Sequence, residues 1–265
     1  MLLADDLMGM LTYLLARPGT SPEQKLSEAL RLLCKHRSEA LAARLLEQGG
    51  SAVRCGPFAG MALTGRVSEG AFVPKLLGCY EQELHPVLET LPTIGYEQVI
   101  NVGCAEGFYA VGLARLLEGA EVHAFDIDPT ARELCAEAAR ANDVTERVEV
   151  NAELKAEAFD RYEGRRTFVL CDIEGAEFDL LDPATTPALA QMDLLVEVHD
   201  ELRGDRPPLR PRFEPTHEVT DYLPGGQRDA PAELCSWDSL DRLLAFWEWR
   251  LGGNHWLWLR SRARD

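Results

Sequence analysis

The sequence predicts an α/β fold in which a doubly wound parallel sheet follows an N-terminal helical extension. A short apolar run at residues 99–102 ends at Gly103, and Gly107 then precedes apolar residues at helical spacing. Strand-like apolar runs alternate with helical patterns from there to residue 200. Residues 1–50 carry helical patterns only. Because a sheet of this type binds ligands at the carboxyl ends of its strands, we expect the functional site at that edge.

The composition restricts the class of partner. The 265-residue chain has 27 basic and 44 acidic residues and a formal net charge of −17. Such a charge repels phosphate backbones and anionic membranes, so we expect neither nucleic acid nor a membrane as a partner. The seven cysteines show no Cys-x-x-Cys spacing, which is typical of reduced thiols in the cytoplasm. The sequence therefore predicts a soluble, cytoplasmic protein with a small-molecule substrate, and it leaves a homodimer open.

Residues 1–50 form the predicted helical cap, which begins with one short apolar helix. A second helix should start at Ser21, because Ser21 can cap it, Pro22 suits its first turn and Gln24 completes a capping box. The glycine pair 49–50 should end this helix. Its apolar face either packs on the rest of the chain, which we favour, or forms a dimer surface.

Residues 51–95 are interpreted as a connecting or lid segment that lies over the Gly103 turn. It contains turns and a helix over residues 75–92. Tyr80, Glu81 and Glu83 either cover the ligand or lie on a solvated helix face, and the sequence favours neither alternative.

Residues 96–265 form the predicted sheet domain. The expected strands cover residues 99–102, 121–126, 147–151, 166–172, 192–200, 217–222 and 255–259. Helices are expected after Gly107, over residues 130–142, up to residue 181 and over residues 240–251, whereas the Arg- and Pro-rich residues 201–212 should form a loop. Four of the five tryptophans lie in residues 247–258, where we expect them to pack in the core.

Several stretches resemble FkbM-type S-adenosylmethionine (SAM) dependent methyltransferases. They are the Gly-x-x-x-Gly turn at residues 103–107, the acid-ended strand at Asp126, the sequence Asp-Ile-Glu-Gly-Ala-Glu at residues 172–177, and residues 196–199. The resemblance implies a Rossmann-like class I methyltransferase sheet, SAM as the cofactor, and methyl transfer to an acceptor.

The SAM site is expected around the glycine turn and the second strand. The candidate cofactor-binding residues are Asn101, Gly103, Ala105, Glu106, Gly107, Asp126, Ile127, Asn151 and Asp172. Asp126 ends the strand that follows the turn, where a carboxylate can accept both ribose hydroxyls. Asn101 stands where the family's motif has an acid, and it gives up the charge attraction to the ligand's ammonium group. A valine at Gly103 should abolish SAM binding while leaving the fold intact.

A second set of side chains is expected to converge at one edge of the pocket. Asp172, Glu174, Glu197 and His199 follow two strands that are neighbours in this fold. Burying like charges together is costly unless they share a cation or a proton. All four are therefore candidates both for catalytic groups and for ligands of Mg²⁺, Mn²⁺ or Fe²⁺. A general base without a metal and a solvated cluster are the alternatives.

The leading functional hypothesis is methyl transfer from SAM to an oxygen of a small molecule. The Asn/Asp-Pro-Pro-aromatic tetrapeptide, common in amino-methylating nucleic-acid enzymes, is absent after the fourth strand, where residues 172–175 read Asp-Ile-Glu-Gly. Together with the acidic net charge, this absence favours an oxygen of a small molecule as the acceptor. One alternative is a SAM-binding protein that lacks catalysis. The other is a nicotinamide-dependent oxidoreductase, which is disfavoured because Ala105 replaces the middle glycine of the dinucleotide fingerprint.

Overall fold

The computed structural model describes residues 4–65, 71–225, 231–250, 252 and 254–264. Its strands are β1 (Gln98–Val102), β2 (Glu121–Phe125), β3 (Val148–Asn151), β4 (Thr167–Cys171), β5 (Asp193–Val198), β6 (His217–Tyr222) and β7 (His255–Ser261). They form one seven-stranded sheet in the order β3-β2-β1-β4-β5-β7-β6. Strands β1 to β5 pair in parallel, so the predicted doubly wound core is confirmed.

Helices precede the sheet and alternate with its strands. The α-helices are α1 (Ala4–Ala16), α2 (Pro22–Gly49), α3 (Phe72–Leu77), α4 (His85–Leu88), α5 (Leu91–Ile94), α6 (Phe108–Leu116), α7 (Pro129–Ala141), α8 (Glu177–Leu180), α9 (Leu209–Phe213) and α10 (Ser239–Ala245). Short 3₁₀ turns lie at Gln82–Leu84, Thr145–Arg147, Ala156–Tyr162, Pro187–Gln191, Asp200–Leu202, Ala232–Ser236 and Arg262–Arg264. Within the described part of the chain, no helix is both long and apolar enough to cross a membrane.

Both faces of the sheet are buried, which explains why its central strands are almost continuously apolar. β1 and β4 are buried along their whole length. On one face, Val99, Phe168 and Trp256 pack with α6 and α7. On the other face, Ile100 and Val169 pack with the helices and turns that follow β3, β4 and β5. The sheet therefore holds the strand ends that carry the candidate site in fixed positions.

One strand departs from the predicted parallel arrangement. β7 lies between β5 and β6 and runs antiparallel to both. This pairing places Trp256 opposite Glu197. Because β7 starts beside the carboxyl end of β5, the residues just before it, including Arg250 and Asn254, reach the edge at which the site was expected.

The predicted start and end of the second helix are confirmed. Ser21 caps α2, and its Oγ accepts a hydrogen bond from the backbone N–H of Gln24 at 3.2 Å. Gly50 ends the helix with a φ of 71°. Leu41 and Leu45 then pack with α3 and α10 in a separate apolar cluster. The C-terminal half of α2 therefore packs on the rest of the chain.

The start of the extension leaves many apolar side chains exposed. They are Met8, Met10, Tyr13, Leu15, Leu26, Leu30 and Leu33. Nothing in the described part of the chain covers these side chains, so a dimer surface at this end of the extension stays a prediction.

Three predicted elements differ from the structure. The loop expected over residues 201–212 contains the start of α9, because Leu209 and Phe213 lie one turn apart and are both buried. The helix expected over residues 75–92 is broken at Gly78 and Glu81, whose φ angles of 79° and 48° are left-handed. The helix expected over residues 240–251 ends at Ala245, since Trp249 has a φ of 66° that no α-helix allows. Residues 251 and 253, which include part of the expected glycine stop, lie outside the described residues.

The turn at Gly103 is required for packing. Gly103 has a φ of 80°, and a Cβ placed there would lie 1.7 Å from the carbonyl oxygen of Asp172. The chain after β4 therefore crosses the end of β1 at a distance that only glycine permits. The expectation that a valine at Gly103 leaves the fold intact is wrong, because any side chain there would displace the backbone at Asp172.

We predict that Gly103→Ala destabilises the protein more than Gly164→Ala. Gly164 has the same φ of 80°, but no atom lies within 4 Å of an added Cβ, so its substitution introduces only left-handed strain of about 1–2 kcal/mol. Gly103→Ala adds overpacking against Asp172, which costs about 1–3 kcal/mol more. Thermal unfolding of both variants measures the difference. Equal losses of melting temperature would contradict the close crossing.

Candidate active site

The candidate cofactor cleft has a volume of about 470 Å³ and lies at the carboxyl ends of β1, β2 and β4. Three residues expected to bind the cofactor, Gly103, Asp126 and Ile127, lie on its wall. Leu154 and Ile173 add apolar surface. The volume is typical of small-molecule sites, and the position is the one at which open α/β sheets bind their ligands.

Asp126 is part of the turn that shapes this cleft. Its Oδ2 accepts a hydrogen bond from the N–H of Ala105, and its Oδ1 accepts one from the N–H of Asp128, both at 2.9 Å. Ala105 adopts a left-handed φ of 48° at the position of the missing glycine. Since a carboxylate can accept about four hydrogen bonds, Asp126 keeps capacity for two ligand hydroxyls. Ile127 beside it is 80% exposed and offers an apolar surface to a ligand base.

Two other candidate cofactor residues do not line the cleft. Glu106 is buried in an ion pair with Lys75, and both line a separate small cavity beside Gly107. The Nδ2 of Asn151 donates a hydrogen bond to the carbonyl of Glu149 in its own strand at 3.4 Å. The structure therefore does not bring the side chains of Glu106 and Asn151 to the cleft.

Asn101 lies in β1 with an unused acceptor. Its side chain is fully buried, and its Nδ2 lies 3.5 Å from the carbonyl oxygen of Leu170. Its Oδ1 has no hydrogen-bond partner among the described residues, and neither has the Nε1 of Trp256. Leaving a buried polar group unpaired costs about 1–3 kcal/mol. A ligand donor near the end of β1, such as an ammonium group, would remove that cost at Asn101.

The four residues expected at the ends of β4 and β5 do lie together, and we call them the acid–histidine cluster. The Nε2 of His199 lies 3.8 Å from Asp172 Oδ1, 3.4 Å from Glu174 Oε2 and 3.7 Å from Glu197 Oε2. His199 is only 1% exposed, whereas 68% of the Glu174 side chain is exposed. Because β4 and β5 are neighbouring parallel strands, residues from two distant parts of the chain meet at one edge.

Glu177, for which the sequence suggested no role, fixes the orientation of His199. Its Oε1 accepts the backbone N–H of His199 at 2.9 Å and lies 3.2 Å from His199 Nδ1. Its Oε2 accepts the N–H of Gly175 at 2.7 Å. The Nε2 of His199 therefore faces the other carboxylates, and it has no hydrogen-bond partner among the described residues. Carboxylates orient histidine ligands in this way in many metal sites. The only signal in the sequence was an acid three residues after Glu174.

The cluster favours the uptake of positive charge. Burial raises the pKa of Asp172 well above its ordinary value, and the neighbouring Glu197 carboxylate adds to the shift. Burial lowers the pKa of His199, but the hydrogen bond to Glu177 and the charge of Glu197 outweigh it and raise the pKa overall. Both groups thus hold protons more tightly than usual, and a cation can replace those protons.

A divalent cation fits three of the four residues. Asp172, Glu174 and His199 each offer one donor atom, and these atoms lie within 4.8 Å of one another. Two carboxylate oxygens and one imidazole nitrogen suit Mg²⁺, Mn²⁺ or Fe²⁺. With Nδ1 directed at Glu177, the lone pair of His199 Nε2 is directed at the place where such an ion would bind.

Arg250 holds Glu197, the fourth candidate ligand, in a separate buried network. Arg250 forms ion pairs with Glu81, Glu197 and Glu248. Asn254 also contacts Glu197, through its Nδ2 at 3.3 Å from Oε1. Glu197 therefore faces His199 with one oxygen and this network with the other. No sequence pattern indicated the pairing, because Arg250 is 53 residues from Glu197 along the chain.

Glu81 is buried in the same network. It is 1% exposed and has a φ of 48°, and the hydroxyl of Tyr109 donates a hydrogen bond to it. Burial raises the pKa of Glu81 to about 8, although the charge of Arg250 opposes the rise. The solvated-face interpretation is therefore wrong for Glu81, which instead ties the segment before α4 to the site.

A second cavity, of about 330 Å³, adjoins the cluster on the side of the N-terminal extension. Asp172 lies on its wall, together with Lys35 of α2 and Trp249. The Nη2 of Arg31 donates a hydrogen bond to the carbonyl of Trp249 at 2.7 Å, and the Nζ of Lys35 lies 4.6 Å from the centre of the Trp249 ring. Helix α2 therefore helps to build this cavity, a role that its sequence did not indicate.

The cofactor cleft and the second cavity meet at residues 172–173. The backbone of Asp172 packs against Gly103, which lines the cleft, and Ile173 lines the cleft itself. The carboxylate end of Asp172 belongs to the cluster, and the residue lines the second cavity. A ligand in the cleft and a ligand in the second cavity would therefore lie on either side of Asp172.

Comparisons with known proteins give one matching family model and similar folds. Residues 86–190, less than half of the chain, match the family model of ribosomal protein L11 methyltransferase (PrmA). The human methyltransferase 10 domain containing protein is similar in structure, with a TM-score of 0.50 and 13% identity, over 86% of this chain and 96% of that chain. The delta-N METTL16 methyltransferase domain has a TM-score of 0.50 and 12% identity, over 85% of this chain and 96% of that chain. No curated protein matches the chain in sequence.

The fold is thus the Rossmann-like fold of class I methyltransferases, as the sequence predicted. This fold and the family match, whose residues include those around the cofactor cleft, together indicate a SAM-dependent methyltransferase. The FkbM subtype stays a prediction.

We predict that Asp126→Ala weakens the binding of S-adenosylhomocysteine by about 1.5–3 kcal/mol, the contribution of hydrogen bonds to a charged group. Asp128→Ala is the matched control, because Asp128 caps α7 by accepting the N–H of Thr130 and does not line the cleft. Calorimetric titration of both variants measures the effect. If Asp126→Ala binds as tightly as the control, the ribose contact lies elsewhere.

Proposed function

We propose that the protein methylates an oxygen of a small molecule, assisted by a divalent metal ion bound by Asp172, Glu174 and His199. The position of Asp172 carries the proposal, because this residue separates the cofactor cleft from the second cavity and belongs to the cluster between them. The resemblance of residues 172–177 to FkbM-type methyltransferases supports methyl transfer from SAM as the reaction.

The reaction is an in-line displacement whose atoms balance without a further reactant. The acceptor oxygen attacks the methyl carbon, the carbon–sulfur bond breaks, and its electrons stay on sulfur in S-adenosylhomocysteine. The hydroxyl proton leaves to a base, and the product is a methyl ether. The oxygen must be held about 3 Å from the methyl carbon and on the axis of the breaking bond. The protein therefore has to orient the acceptor and to take up one proton.

The cluster residues supply both functions. A bound divalent ion would lower the pKa of an acceptor hydroxyl and fix its direction. Asp172 and Glu174 would hold the ion with carboxylate oxygens, and His199 with Nε2. Glu197 keeps one oxygen 3.7 Å from His199 Nε2, which places a further proton acceptor at the site. In the absence of a metal, His199 is the first candidate for the general base.

The second cavity favours a small acceptor over a macromolecule. Its volume of about 330 Å³ is at the lower end of the range for small-molecule sites. Lys35 and Trp249 close it on the side of α2. The net charge of −17 also disfavours a nucleic acid as the acceptor.

We predict that the protein binds one Mn²⁺ per chain and that His199→Gln abolishes this binding. The substitution removes the nitrogen ligand and leaves the neighbouring carboxylates. His123→Gln is the control, because His123 pairs with Glu149 outside the cluster. Calorimetry and metal analysis by mass spectrometry, before and after chelation, give the readout. A chelated protein that contains no metal and still methylates at full rate would contradict the metal role and make His199 the candidate base.

We predict that Glu177→Gln weakens Mn²⁺ binding about 10–100-fold, the usual effect of removing a carboxylate that orients a histidine ligand. Glu177 holds His199 without contacting the cofactor cleft, so the affinity for S-adenosylhomocysteine should not change. Thermal unfolding of the variant checks that it is folded. Unchanged Mn²⁺ affinity in a folded variant would show that His199 needs no such support.

A further inference from the structure

The second cavity contains more negative charge than its own residues neutralise. Five carboxylates line it, those of the cluster together with Glu201 and Glu248, against two cations, Lys35 and Arg250. With all five ionised, three formal negative charges remain. A proton held by Asp172 would leave two of them, and a divalent ion bound to the cluster would leave one. A site with this charge disfavours carboxylate or phosphate groups on the acceptor and favours a cation.

Carboxylates outnumber the two cations of the cavity. Arg250 is enclosed by its three carboxylate partners, and Lys35 stacks over the ring of Trp249. Glu201, in contrast, is exposed and forms no hydrogen bond or ion pair with another described residue. Lys35 keeps its charge, but the carboxylates outnumber it, so the net charge that a ligand in this cavity meets is negative.

Two buried polar atoms on the wall of the cavity lack partners among the described residues. They are the Nε1 of Trp249, a donor, and the Oδ1 of Asn254, an acceptor. The Nδ2 of Asn254 contacts Glu197, so its Oδ1 is left for another donor. Trp249 also has a φ of 66°, which is rare for a bulky residue and typical of functional sites. A ligand that satisfies both atoms must offer at least one donor and one acceptor.

We propose that the acceptor is a cationic amino alcohol of about the size of a sugar. Its ammonium group lies among the acidic side chains with Glu201 and Asn254, and the hydroxyl to be methylated lies at the acid–histidine cluster. A further hydroxyl accepts the hydrogen bond of Trp249. This inference rests on the proposed function, since it requires the cluster to be the site of methyl transfer.

The same charge distribution selects the methylated atom. An amine surrounded by carboxylates stays protonated, and an ammonium group has no lone pair with which to attack a methyl carbon. The hydroxyl at the cluster is the group that can lose its proton. The product is therefore an O-methyl ether with a free ammonium group, and the displaced hydroxyl proton leaves through the cluster.

The test compares matched probes that differ in charge. One set is glucosamine, glucose and glucuronate, and the other is glucamine, sorbitol and gluconate. Each is titrated by calorimetry into the full chain loaded with Mg²⁺ and S-adenosylhomocysteine. We expect the amine of at least one set to bind about tenfold or more tightly than its neutral and anionic counterparts. Equal or tighter binding of the neutral or anionic members in both sets, or no binding in either set, would overturn the proposal.

A pair of variants tests whether the preference comes from this cavity. Glu201→Gln should reduce the preference for the amine severalfold, because Glu201 is the uncommitted carboxylate of the lining. Glu118→Gln removes another exposed carboxylate, which follows α6 and does not line the cavity, and should leave the preference unchanged. Equal effects of the two variants would assign the preference to the overall charge of the protein and overturn the role of the cavity.

Two further readouts separate this inference from the proposed function. Binding of S-adenosylhomocysteine and of Mn²⁺ is measured on the same protein. If both bind and the amine preference is absent, the amino-alcohol proposal alone fails. If Mn²⁺ does not bind, the metal-assisted mechanism fails independently of the acceptor's charge.

Discussion

The crossing of the chain after β4 over the end of β1 determines where the parts of the candidate site lie. The carbonyl oxygen of Asp172 occupies the space in which a side chain of Gly103 would be. Since the two strand ends are held this closely, the cofactor cleft and the acid–histidine cluster share one boundary. In the proposed reaction, this backbone packing would set the separation between a methyl donor in the cleft and an acceptor at the cluster.

Charge compensation gives the site its second constraint. Glu177 holds His199 by two contacts, and Arg250 gathers Glu81, Glu197 and Glu248. These pairings satisfy part of the buried negative charge and leave the rest facing His199 Nε2 and the second cavity. Buried polar groups that are not paired within the protein are costly, so the remaining charge favours ligands that carry positive charge. A metal ion and a cationic acceptor would both relieve it.

The sequence predicted the sheet well because its signals are local. Alternating apolar runs, the capping residues of α2 and the glycine turn after β1 each depend on neighbours in the chain. The convergence of Asp172, Glu174, Glu197 and His199 also followed, since β4 and β5 are adjacent in any doubly wound sheet. The sequence did not predict that β7 inserts between β5 and β6 in the antiparallel direction. The approach of Arg250 and Asn254 to the site depends on this insertion, so it was not predicted either. Contacts between α2 and Trp249 join residues more than 200 positions apart, for which one sequence holds no pattern.

Proximity of the metal ion to the methyl group of SAM is the central claim, and paramagnetic relaxation measures it directly. The protein is loaded with Mn²⁺ and with SAM that carries ¹³C in the methyl group, and the relaxation of that carbon gives its distance from the metal. An acceptor oxygen bound to the metal at about 2 Å and held about 3 Å from the methyl carbon implies a separation on the order of 5 Å. Strong relaxation that His199→Gln removes is the expected result. A bound SAM whose methyl resonance is unaffected by bound Mn²⁺ would contradict metal-assisted transfer at this cluster.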